Sequence, residues 1–170
     1  MSKTYYAERK RIQLERTFMG FQSIGLLILA CSSLGSATTI RKEIHINAES
    51  AAVWDAVRDF DHVDKRLVPG FVVEVQAEEG GRYVTFANGA KARELLVSVD
   101  DNLRRLVYAI ADGPFKTYSA SVQVFPEGKH GCLLVWIVDL LPNSFENYIK
   151  TQMDSAAIIM KDTLEKASRK

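Results

Sequence analysis

Residues 131–167 read GCLLVWIVDLLPNSFENYIKTQMDSAAIIMKDTLEKA, and the change of character at Pro142 decides the fold. Before it, Cys132 to Leu140 is a run of Leu, Val, Ile and Trp, the composition of a strand inside a sheet. After it, Asn143 to Lys166 contains no Pro or Gly, and Ile149, Met153, Ala156, Met160 and Leu164 recur at i, i+4, i+7, i+11 and i+15. That spacing puts them on one face of a helix, with Lys150, Asp154, Lys161, Asp162 and Glu165 largely off it. A helix of about 24 residues is roughly 36 Å long at 1.5 Å per residue, enough to lie across a whole sheet.

Upstream of this stretch the chain is punctuated by turn chemistry: Pro69-Gly70, Glu79-Gly80-Gly81, Asn88-Gly89, Asp100-Asp101-Asn102, Asp112-Gly113-Pro114 and Pro126-Glu127-Gly128. Between these signals lie segments of strand character, Phe71 to Ala77, Arg82 to Ala87, Lys91 to Val99, Arg105 to Ala111 and Tyr118 to Phe125. Short turns between successive strands predict an antiparallel meander. Further upstream, Ile40, Lys42, Ile44 and Ile46 alternate with Arg41, Glu43, His45 and Asn47, a half-buried strand with His45 toward water and Lys42 snorkelling to a rim. Ser50 is placed to cap a helix carrying Val53, Trp54, Val57 and Phe60. The order is strand, helix or helices, six strands, long helix: an α+β domain.

Composition narrows the function. The 170 residues are 47% hydrophobic, 25% charged and 9% aromatic, which suits one folded domain and excludes a disordered chain or a large multidomain enzyme. The formal charge of +1 gives no electrostatic ground for a nucleic-acid partner. Two cysteines, Cys31 and Cys132, make neither a disulfide framework nor a four-cysteine metal site, and Cys132 reads as a buried strand cysteine. His45, His62 and His130 stand outside metal-ligand spacings, and the chain has no nucleophile elbow, phosphate loop or dinucleotide fingerprint. No metal and no cofactor is expected.

Residues 1–37 form a separate unit, with Lys3, Arg9, Lys10, Arg11 and Arg16 ahead of an uncharged run from Thr17 to Ile40 whose apolar centre is Ile24 to Ala30. Three readings compete. Gly35 and Ala37 suit a signal peptide cleaved after Ala37. Phe18 to Ala37 has the roughly 20-residue length of a membrane anchor. Ile28-Leu29-Ala30-Cys31 is similar to a bacterial lipoprotein box, although Leu29 departs from the small residue usual there. A start at Met19 is a fourth reading, weakened because it discards every basic residue of the leader. All the leading versions place the domain, residues 38–170, on the far side of a membrane or against it: exported, or tethered through residues 18–37.

Particular residues add a resemblance. Ile46-Asn47-Ala48 before Val53-Trp54, then Asp59-Phe60, Pro69-Gly70, Arg93-Glu94-Leu95 with Asp100-Asp101, Leu106-Val107-Tyr108, and Trp136 with Asp139 and Pro142, in this order, resemble the START-like (SRPBCC) superfamily of birch-pollen-allergen-type proteins and polyketide cyclases. The resemblance covers about Ile40 to Ala167. It implies a helix-grip: a curved antiparallel sheet of about seven strands closed around the C-terminal helix, with an interior cavity for an apolar ligand. From Gly89 to Pro142 the chain is most similar to the branch of plant abscisic-acid receptors and onion lachrymatory-factor synthase, whose cavity-lining glutamate, aromatic and tyrosine match Glu94, Tyr108 and Tyr118. The receptor gate Ser-Gly-Leu-Pro-Ala has no counterpart near Phe86 to Ala90, and Gly113-Pro114-Phe115 replaces the receptor latch, so hormone-gated phosphatase binding is not implied.

The candidate ligand-binding residues are Tyr108, Ile110, Tyr118, Ala120, Trp136, Met153 and Met160, with Glu94 as candidate acid or base. Tyr118, Ala120, Val122 and Val124 alternate with Ser119, Ser121 and Gln123 and should face inward. For Glu94 two readings conflict. Strand parity makes Leu95, Val97 and Val99 the inward set and turns Glu94 to water, whereas the family pattern puts it in the cavity, and a bulge would reconcile them. Arg104-Arg105 beside Asp100-Asp101 reads as a solvated hairpin end. Three functions follow as expectations: carriage of a small hydrophobic molecule, a cyclase, dehydratase or isomerase using Glu94 with Tyr118, or an interaction protein whose cavity is filled by its own side chains. The oligomeric state is left open.

Overall fold

Seven strands form one antiparallel sheet in the order β1-β7-β6-β5-β4-β3-β2. In this computed structural model, which describes residues 36–169, the strands are β1 (Thr38–Ile46), β2 (Val72–Glu78), β3 (Gly81–Phe86), β4 (Lys91–Asp100), β5 (Arg105–Ile110), β6 (Thr117–Glu127) and β7 (Gly131–Leu141). Between β1 and β2 come helix α1 (Ser50–Arg58), a 3₁₀ turn (Phe60–His62) and the short α2 (Val63–Arg66). After β7 a second 3₁₀ turn (Asn143–Phe145) leads into α3 (Glu146–Ala167). The helix-grip expectation therefore holds in element order and in topology. The leader readings, including the lipobox at Cys31, lie outside the described residues up to residue 35; among the described residues no helix is long and apolar enough to cross a membrane.

Meander topology follows from the turns, because short loops allow only antiparallel neighbours, and the one long connection carries the chain from β1 across to the opposite edge at β2. Ile149, Met153, Ala156, Met160 and Leu164 are all buried, as their spacing requires. They share one buried cluster with inward residues of the sheet such as Ile44, Leu134, Val138 and Val124. His45 is exposed beside Glu127, and Lys42 reaches Asp154 on α3 at 2.5 Å.

Two local expectations are corrected. Helix α1 begins at Ser50 itself, with Glu49 in the cap position, and the Ser50 hydroxyl instead accepts a bond from Arg104 Nη1 at 3.0 Å. The β4–β5 hairpin end is not merely solvated: Asp101 accepts the Trp54 indole N–H at 2.9 Å and pairs with Arg58, fastening α1 to the sheet.

The far end of α3 is fastened by a buried charge. Glu165, 9% exposed, accepts the Asn47 backbone N–H at 2.9 Å and the Lys161 ammonium at 2.6 Å. Lys161, and then the Asn47 amide, hold its carboxyl below the usual carboxylate range. A carboxyl whose folded pKa is depressed contributes stability above its unfolded pKa, about 4.3, and loses it as pH falls through the depressed value. Glu165→Gln is therefore expected to cost about 1 kcal/mol at pH 7, the excess of a charge-assisted bond over a neutral one. Urea denaturation at pH 7 and at pH 3 should show the difference shrinking at the acid end.

Candidate functional site

The curved sheet and α3 do not meet along their whole length. They enclose a cavity of about 630 Å³ lined by α1, the α1–β2 connection, strands β2 to β7 and one face of α3. The chain's own side chains do not fill this space, as the interaction-protein reading expected they would. The walls are mainly apolar, from Val57, Phe60 and Leu67 on one side to Ile149, Met153 and Met160 on the other.

Its charged group is an ion pair between directly opposed residues of β3 and β4, Arg82 and Glu94. Nε and Nη2 of Arg82 both donate to Oε2 of Glu94, at 2.7 and 2.5 Å. Nη1 donates to the Phe60 carbonyl, and the guanidinium carbon lies 3.7 Å from the centre of the Phe60 ring. Both side chains are buried, Arg82 at 5% and Glu94 at 6% exposure. Among the described residues Glu94 Oε1 has no hydrogen-bond partner, which leaves one lone-pair face of a buried carboxylate free. The strands approach closely here because Gly81 has no side chain; a Cβ at that position would sit 2.5 Å from the Glu94 carbonyl oxygen.

A bulge at Val97 settles which way Glu94 faces. Leu96 lies opposite Tyr108 and Ser98 opposite Val107, so Val97 is the extra residue. Parity shifts across it: Glu94 shares a face with Ile110, and Val99, though 39% exposed, shares one with Leu106. Leu95 and Val97 turn outward, Val97 to 59% exposure, which corrects the parity reading that placed them in the core.

Of the other expected residues, Tyr108, Ile110, Tyr118, Trp136, Met153 and Met160 line the cavity. Ala120 does not. It is buried beneath the cavity wall, and its neighbours on the same face, Tyr118 and Val122, reach the cavity in its place. Burial pushes the Tyr108 phenol well up, with Tyr118 and Glu94 adding to it, and burial and then Glu94 push Tyr118 up likewise. Both phenols thus stay protonated at neutral pH and act as hydrogen-bond donors. The Trp136 indole N–H is buried beside the Tyr108 phenol. Arg82 was missed, though its signal is in the sequence: it shares strand parity with Val84 and Phe86, a charge where an apolar residue is expected.

Lining residues that are also exposed cluster at one end: Ala90 and Lys91, Asp112 to Pro114, and Tyr148 on α3. That end is the mouth. Phe115 packs there against Tyr118 and Phe145, with ring centres 5.1 and 5.0 Å away. Cys132 lies off the cavity, and burial, with Glu127 second, pushes its thiol up to about 11. The folded protein should therefore leave Cys132 unmodified by dithionitrobenzoate at pH 8, with reaction only after unfolding.

Known structures share this architecture. An uncharacterised protein of Bacillus thuringiensis superposes with a TM-score of 0.69 at 16% identity, covering 75% of this chain and 98% of that one. Norcoclaurine synthase from Thalictrum flavum, in complex with dopamine and hydroxybenzaldehyde, gives 0.64 at 18% identity, covering 79% and 87%. A solution structure from Thermobifida fusca gives 0.61 at 25% identity, covering 75% and 90%. No curated protein matches the sequence. Residues 37–166 match the sequence pattern of one family throughout, and with the helix-grip sheet and its enclosed cavity this chain belongs to the polyketide cyclase / dehydrase and lipid transport family.

Proposed function

We propose that this protein binds and carries a small hydrophobic molecule in the cavity between sheet and α3. The observation that carries the reading is the cavity itself: about 630 Å³ of space, walled mainly by apolar and aromatic side chains, with a few polar groups at fixed places. Glu94 Oε1 as acceptor and the two protonated phenols as donors would orient a polar end of such a ligand. The test is native mass spectrometry of the chain isolated from its own cell, backed by titration with 1-anilinonaphthalene-8-sulfonate. A small co-purifying mass, displaced by the probe at one site per chain, is the expected result. An empty chain that gives no probe fluorescence would sink the proposal.

Catalysis is the second reading, favoured by the unpartnered Oε1 of Glu94 in the same cavity as Tyr118. In it Glu94 exchanges a proton with a bound substrate in a cyclisation, dehydration or isomerisation, and Tyr118 donates to the developing oxygen charge. The solved norcoclaurine synthase, with two aromatic molecules bound on the same fold, is a precedent for chemistry there. Glu94→Gln should then abolish turnover of a co-purified ligand while sparing its retention. Equal loss or equal survival of both would leave carriage as the function.

A further inference from the structure

The buried wall of the cavity offers a ligand one donor and one acceptor. The Trp136 indole N–H, which can only donate, acts as a donor to the Tyr108 phenol, and Tyr108 acts as a donor to Tyr118. Each hydroxyl has a single proton, so that of Tyr108 is committed and that of Tyr118 is left over. Tyr108 therefore serves a ligand through Tyr118. The acceptor is Oε1 of Glu94, a carboxylate 6% exposed whose Oε2 takes both bonds from Arg82. Glu94 stands opposite Ile110 on β5, and the pairing of Ala109 with Ser119 on β6 puts Tyr118 on the other side of Ile110. All three line the cavity, so the free acceptor and the free donor share one wall two strands apart, about 10 Å between backbones.

Charge decides what fits between them. Each of the three side-chain nitrogens of Arg82 already donates to the protein, two to Glu94 and one to the Phe60 carbonyl, so the pair is neutral and its cation is committed. The other charged lining residues lie elsewhere. Asp59 is held by Arg66 at 2.9 Å and His62 at 2.8 Å, and Lys91 and Asp112 stand exposed at the mouth. An ionised carboxylate on the buried wall would meet Glu94 with no cation to spare and no proton for Oε1, and burying an unpaired charge is costly. An ammonium would serve Oε1 but turn the Tyr118 proton toward a second cation. A hydroxyl does both: its proton goes to Oε1 and its oxygen accepts from Tyr118.

We propose that the buried wall selects the hydroxyl of an uncharged alcohol or phenol and refuses an ionised acid group, the ligand hydroxyl bridging Glu94 Oε1 and the Tyr118 O–H. The inference rests on the ligand-binding reading above and names the chemical class of the ligand. An acid enters only with its charge at the mouth. 1-Anilinonaphthalene-8-sulfonate obeys the rule by leaving its sulfonate there, where Lys91 is exposed.

Calorimetric titration of the full-length chain at pH 7 with 2-naphthol, 2-methoxynaphthalene and 2-naphthoate tests this on one ring system. The first donates and accepts, the second only accepts, and the third is charged. Naphthol should bind at least about tenfold tighter than either of the others. Glu94→Gln keeps the shape, sets its amide oxygen on Arg82 and presents an N–H₂ where Oε1 stood, so naphthoate should gain at least about tenfold relative to naphthol. Tyr118→Phe, which alters neither charge, should weaken naphthol about tenfold and leave naphthoate unchanged. Equal affinity for all three, or a parent chain that prefers naphthoate, overturns the inference and leaves the cavity a carrier of apolar molecules. So does a Glu94→Gln chain with the parent's preference intact. If none of the three binds, the ligand reading itself falls and this inference with it.

Discussion

Glu94→Ala is expected to lower the unfolding free energy by about 3–5 kcal/mol, the cost of leaving a buried charge without its partner. Arg82 stays behind at 5% exposure, with one N–H on the Phe60 carbonyl and the two that now meet Glu94 facing apolar wall. Substitutions on an open surface move stability by no more than about 0.5 kcal/mol, so the size of the effect separates a buried pair from a solvated one. The double replacement Arg82→Met with Glu94→Leu should recover most of the loss, because exchanging a buried ion pair for apolar side chains is often neutral or stabilising by about 1–4 kcal/mol. Urea denaturation of both single variants and the double variant closes the cycle. A Glu94→Ala protein as stable as the parent would mean that water reaches the pair freely, and the cavity would lose its fixed polar corner.

This pair also marks where the sequence stops being legible. The turns and the helical stripe are local signals, written in Gly, Pro, Asn and Asp and in the 3.6-residue period, and they place all seven strands to within two residues and α3 to within three. The face of a strand is a weaker signal, because one inserted residue reverses it and nothing in the residue types of Leu96-Val97-Ser98 announces the insertion. Parity therefore misplaced Leu95 and Val97, and only the resemblance favoured the cavity for Glu94. Arg82 stood in plain sight on the inward parity of β3, but recognising it as Glu94's partner requires the β3–β4 register, a non-local quantity. Ala120 shows the converse limit. Its face was read rightly, yet whether a buried residue touches a cavity or solid core depends on the side chains around it, here Tyr118 and Val122, and not on its own alternation.

Ala156→Phe should abolish probe binding without unfolding the domain. Ala156 is 1% exposed, lies on the buried stripe of α3 between Met153 and Met160, and lines the cavity. In a close-packed interior the added ring would force its neighbours off their rotamers, and overpacking of that kind costs about 1–3 kcal/mol. Here the ring has about 630 Å³ to enter, and the apolar surface it buries stabilises at roughly 0.8 kcal/mol for each CH₂ equivalent. The melting temperature should therefore hold or rise, while 1-anilinonaphthalene-8-sulfonate affinity falls at least about tenfold, equivalent to 1.4 kcal/mol. The two readouts move in opposite directions only if the space is both empty and the site of binding. A destabilised variant that still binds the probe would place the ligand elsewhere and return α3 to the role of a plain packing helix. A stable variant that has lost the probe would make Ala156 the residue whose small size keeps the cavity open.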